Sequence, residues 1–95
     1  MAIGVLVEFD GATLAQYDAA IAHAGLTPGG PGAAGCLFHW VAATPNGIRA
    51  VDVWDSRERF ERYAAETILP ATVAAGITAQ PRIEFADVHS YLTAG

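Results

Sequence analysis

At 95 residues the chain has the length of one domain, taken as residues 1–95, and 53% hydrophobic against 16% charged residues is more apolar surface than so small a core hides, so a homodimer is expected. Five arginines, no lysine and a formal charge of −5 leave no basic patch for phosphates, which excludes nucleic acid as a partner. No window approaches the ~20 apolar residues of a membrane helix, Met1 to Phe9 lacks a signal-peptide pattern and Cys36 is the only cysteine, so a cytoplasmic protein without membrane association, disulfide or multi-thiolate metal site is expected.

The first strand is read over Ile3 to Phe9, where Ile3, Val5, Val7 and Phe9 alternate with Gly4, Leu6 and Glu8; both sets are largely apolar, so both faces should be covered. Asp10-Gly11 turns the chain into a helix over about Leu14 to Ala24. Thr13 and Gln16 fit a capping box, Tyr17, Ile21 and Ala24 share a stripe, and Gly25 is the stop. His23 projects away from that stripe, toward solvent. Leu26 to Gly35 is a loop with two prolines and four glycines. Its letters match G-x-G-x-x-G, but a dinucleotide site needs a strand before and a helix after, and here the order is reversed.

Strands Cys36 to Ala43 and Ile48 to Asp55 flank Thr44-Pro45-Asn46-Gly47, a hairpin signal. Asp55-Ser56 is an N-cap signal for a second helix starting at Ser56, with Phe60, Tyr63 and Ala64 at helical spacing and Glu58 and Arg62 paired on its outer face. Pro70 interrupts this helix or restarts it as a short final turn toward Gly76. A last strand is read over about Arg82 to Leu92, giving β-α-β-β-α-β. That is an α+β, ferredoxin-like arrangement with two helices on one face of a four-stranded antiparallel sheet. A second subunit's sheet is the simplest cover for the other face.

Closing the hairpin at Ala43 and Ile48, or at Pro45 and Ile48, gives one parity: His39, Asp52 and Trp54 share a face. The first register sets His39 opposite Asp52; the second sets it opposite Trp54 with Asp52 diagonal. A carboxylate beside His39 orients the ring for acid–base work, or the two simply satisfy one another inside the sheet. His89 and Tyr91 form a second polar and aromatic set that either lines the same pocket or faces the dimer seam. Cys36 reads as a buried structural thiol. The three histidines lack H-x-x-H or H-x-x-x-H spacing, so no metal site is expected.

With these elements in place, Val53-Trp54-Asp55-Ser56-Arg57-Glu58-Arg59-Phe60 and the following helix resemble the dimeric α/β-barrel superfamily, specifically domains similar to antibiotic biosynthesis monooxygenases. The resemblance implies two facing ferredoxin-like sheets and a pocket between each sheet and its helices. Trp54 matches the family's strand-end tryptophan, and Glu58 and Phe60 match its early helix positions. Tyr63 stands where some members carry a helix histidine, so haem ligation from that position is not implied. The function implied is that of a cofactor-independent monooxygenase acting on a small aromatic or enolic compound, with no cofactor. His39 and Asp52 would be its catalytic pair, and Trp54, Tyr63 and His89 its ligand contacts. The alternatives are a non-catalytic ligand-binding or stress-associated dimer using the same pocket, and a structural module in which the polar pair only secures the sheet.

Overall fold

In a computed structural model describing residues 1–94, the chain runs β1 (Ile3–Asp10), α1 (Leu14–His23), β2 (Cys36–Thr44), β3 (Gly47–Trp54), α2 (Arg57–Tyr63), a π-helical turn (Ala64–Ile68), α3 (Leu69–Ala74) and β4 (Arg82–Asp87). The strands form one antiparallel sheet in the order β2-β3-β1-β4. This is the ferredoxin-like arrangement expected from the alternation of strand and helix periods.

Local signals act where the sequence places them. The Gln16 amide donates to Thr13 Oγ1 at 3.1 Å and the Thr13 amide donates to Gln16 Oε1 at 3.0 Å, a complete capping box that starts α1. Ser56 Oγ accepts from the Arg59 amide at 3.2 Å and starts α2. Gly35 ties the loop to the end of β3, because its carbonyl accepts from Asp55 N–H at 2.9 Å. Its φ is +91°, and a Cβ there would lie 2.6 Å from Arg59 Cδ, so only glycine fits.

Pro70 neither breaks the second helix nor merely restarts it. The Leu69 N–H bonds to Ala64 O, five residues back, and this widened turn carries the axis past a residue that has no N–H and whose ring crowds the preceding turn. The last strand is shorter than its alternation suggests. Asp87 pairs with Ile3, the first residue of β1, and beyond it Val88 N–H reaches Ala2 O without continuing the ladder. His89 and Tyr91 therefore lie past the sheet and are exposed.

The core forms where Ile3, Val5, Val7 and Phe9 of β1 meet Ile48 and Trp54 of β3 beneath Phe60 and Ile77. On the opposite face Leu6, Val51 and Val53 lie beside Phe38 and Trp40, which are 52% and 41% exposed. Toward one end of that face Glu8 pairs with Arg49 at 3.0 Å and with Arg82 at 3.7 Å, and Arg82 also reaches Asp10 at 2.5 Å. The helices thus cover only one face of β1.

Candidate functional site

The β2–β3 hairpin closes in the Ala43–Ile48 register, with Thr44 paired to Gly47 and Pro45-Asn46 as the turn. Proline second and glycine fourth suit a turn with ordinary negative φ, and no residue of this turn has a positive one. Of the two registers open to the sequence, this one sets His39 directly opposite Asp52. A bulge at Leu37, near the other end of β2, restores the inward parity of Cys36 opposite Trp54 and does not disturb His39.

These placements create a hydrogen-bonded line along the helix-facing side of the sheet. Trp54 Nε1–H donates to Asp52 Oδ2 at 3.0 Å, and Asp52 Oδ1 lies 2.5 Å from His39 Nδ1. His39 Nε2 lies 2.6 Å from Tyr17 Oη, with the two rings within 13° of parallel. An indole nitrogen only donates and a carboxylate only accepts. Nδ1 of His39 therefore carries a proton toward Asp52, and in the neutral imidazole Nε2 is the acceptor to which Tyr17 O–H donates. Asp52 is 7% exposed and Trp54 2%, so this end of the line is sealed from water, while His39 and Tyr17 stand at its open end.

A cavity of about 150 Å³ lies between the sheet and the helices, lined mainly by apolar side chains. His39, Asp52, Trp54, Tyr17, Tyr63 and Cys36 all contribute to its wall. Tyr63 Oη is buried without a hydrogen-bond partner among the described residues, and its ring lies 5.5 Å from that of Trp54. A larger outer depression of about 490 Å³ is lined by the glycine-rich loop and β2, and it shares Tyr17, His39 and Cys36 with the inner cavity.

Burial, reinforced by the charge of Asp52, pushes the Tyr17 phenol up to about 12 and the Cys36 thiol up to about 11. Burial, with Cys36 and Asp52 nearby, also raises Tyr63. All three stay protonated near neutrality, as hydrogen-bond donors rather than nucleophiles.

Four of the five residues singled out in the sequence, His39, Asp52, Trp54 and Tyr63, meet at this cavity. His89 does not; it is exposed beyond the end of β4. Tyr17 is the participant that sequence reasoning left in the apolar stripe of α1. A polar tip on an inward-facing aromatic was the available signal. Among the described residues no three histidine, cysteine or acidic side chains gather as a metal site, and no helix is long and apolar enough to cross a membrane.

No protein-family model matches the chain, and no curated protein matches it. Two solved structures are similar to it, those of SnoaB, a cofactor-independent oxygenase from Streptomyces nogalater, and of a mutant of that enzyme. Each covers 98% of this chain and 97% of its own, at 16% identity, with TM-scores of 0.60 and 0.59 respectively. The chain thus shares the ferredoxin-like fold of that oxygenase.

Proposed function

We propose that the chain is one half of a dimeric α/β barrel whose cavity supports cofactor-independent monooxygenase chemistry on a small aromatic or enolic compound. The observation that carries this reading is the Trp54–Asp52–His39–Tyr17 line set into the wall of an otherwise apolar cavity. The fold shared with SnoaB supports it.

In this reading Nε2, the ring nitrogen that Asp52 leaves free, takes the proton of a phenolic or enolic O–H once the Tyr17 hydroxyl yields its place. Asp52 holds the ring and balances the imidazolium, and Trp54 fixes the second carboxylate oxygen. The substrate anion is the electron-rich form that reacts with dioxygen, and the apolar wall keeps water from competing. Trp54 and Tyr63 are the ligand contacts. The second copy covers Leu6, Phe38, Trp40, Val51 and Val53, which otherwise form an unusually apolar exposed sheet face.

Oxygen uptake by the purified protein with a panel of aromatic hydroquinones tests the chemistry. Uptake that His39→Ala abolishes is expected; uptake unchanged by that substitution removes His39 from the mechanism. A non-catalytic ligand-binding dimer is the second reading, favoured by Tyr17 already occupying Nε2. It predicts that the same compounds raise the melting temperature without consuming oxygen.

A further inference from the structure

We propose that the inner cavity selects a single uncharged aromatic ring bearing a hydroxyl group, and that Tyr63 Oη is the hydrogen-bond partner that reads this hydroxyl. The inference rests on the reading of this cavity as a ligand site and goes further by naming the ligand's size, charge and polar handle.

Size comes first. The cavity measures about 150 Å³, and an apolar protein cavity of roughly that volume accommodates benzene. A second fused ring has to cross toward the outer depression, and the residues shared by the two spaces include the hydrogen-bonded pair Tyr17 and His39.

Charge is restricted by what the wall lacks. Among the described residues that line the cavity there is no arginine, the one potential cation, His39, is already held by Asp52 and Tyr17, and the one carboxylate, Asp52, engages His39 and Trp54 through both oxygens. A carboxylate ligand meets no free cation there, and an ammonium ligand meets no free anion. Either would give up its hydration without a partner.

The polar handle follows from Tyr63. Its hydroxyl has no partner among the described residues although it is buried in the cavity wall. A buried unsatisfied hydroxyl is unfavourable, and once an entering ring turns the Tyr63 phenol toward the cavity, a ligand oxygen set against it removes that penalty, so binding and hydroxyl recognition are coupled at this atom.

The test is isothermal titration calorimetry under anaerobic conditions with phenol, hydroquinone, toluene, benzoate and a three-ring phenol. Phenol and hydroquinone are expected to bind, toluene on the order of tenfold more weakly than phenol, benzoate not at all, and the three-ring compound no tighter than phenol. Tyr63→Phe is expected to cut the preference for phenol over toluene severalfold without lowering the melting temperature, since the hydroxyl it removes has no partner among the described residues. An unchanged preference in Tyr63→Phe, benzoate binding as tight as phenol, or tighter binding of the three-ring phenol would each overturn the proposal. Oxygen uptake is measured separately. Tyr63-dependent phenol binding without oxygen consumption defeats the oxygenase reading and leaves this inference standing. Oxygen consumption with three-ring substrates alone does the reverse.

Discussion

Asp52 is where the geometry of the site can be tested most directly, because one buried carboxylate holds both Trp54 and His39. Asp52→Asn keeps the shape and one accepting oxygen. That oxygen can serve Trp54, whose indole N–H has nowhere else to turn, which leaves the amide NH₂ facing His39. His39 then has to present a lone pair at Nδ1 and move its proton to Nε2, so the tautomer inverts and Nε2 no longer accepts from Tyr17 or a substrate. The lost charge-assisted bond costs about 1–2 kcal/mol of stability. Asp52→Ala is more damaging, since it removes the same bond and strands a donor on a tryptophan that is 2% exposed. About 3 kcal/mol is expected from the two effects, or on the order of 15 °C in melting temperature for a domain of this size. Urea unfolding measures the stabilities, and ¹⁵N NMR of the imidazole distinguishes a protonated Nδ1 from a bare one. A Nδ1 that stays protonated in Asp52→Asn, or an Asp52→Ala as stable as the parent, would refute the reasoning.

Four further outcomes are expected. Phe38→Glu places a charge among the apolar side chains of the open sheet face, on its edge strand β2, and should weaken the proposed dimer on the order of a hundredfold, read as a shift to monomer in sedimentation at micromolar concentration. Gly47→Ala puts a Cβ 2.0 Å from the Phe9 carbonyl oxygen, a backbone atom that cannot step aside; about 3 kcal/mol of destabilisation should appear in urea unfolding. The folded chain holds the Cys36 and Tyr17 protons up to about 11 and about 12, beyond the ordinary 9 and 10 at which the unfolded chain releases them. Unfolding therefore sheds protons, and the associated stability, complete below pH 9, is lost as pH rises through 11 to 12; Cys36→Ala should flatten the lower part of that decline in a series of melting curves. Tyr17→Phe frees His39 Nε2 and should leave proton abstraction intact while lowering KM about fivefold, the value of one competing hydrogen bond; complete loss of turnover in that variant would show that the proton must pass through the phenol.

The sheet and its hairpin were legible because their signals are local. Thr13 with Gln16, Ser56, and the Pro45-Asn46-Gly47 turn each act within a few residues, and strand period two makes His39 and Asp52 share a face in either register. What escaped the sequence reading depends on partners distant along the chain. Nothing in Cys36-Leu37-Phe38 announces a bulge, which arises from how β2 meets the end of β3. The alternation through Ile83, Phe85, Asp87, His89 and Tyr91 persists after β1 has run out, so β4 reads longer than it is and His89 looks like a sheet residue. Tyr17 reads as one more apolar contact on α1, since only the packing of that helix over β2 brings its hydroxyl to an imidazole 22 residues away.

That difference in origin divides the work of the site. His39, Asp52 and Trp54 all belong to one hairpin, where ladder hydrogen bonds fix their spacing, so the proposed proton-handling unit keeps its geometry as long as β2 and β3 remain paired. The two phenols come from helices: Tyr17 from α1, and Tyr63 from the last turn of α2, just before the π turn. A helix shift of about an ångström stretches a hydrogen bond from 2.6 Å to beyond its useful range and leaves the His39–Asp52 contact untouched. In the proposed function, ligand recognition therefore adjusts without retuning the base. The proposed barrel would set the second copy against the reverse side of the hairpin, where Phe38, Trp40, Val51 and Val53 lie beside Leu6 of β1. Association would then stiffen the sheet half of the site from behind, leaving the helix half free to admit and release the ring.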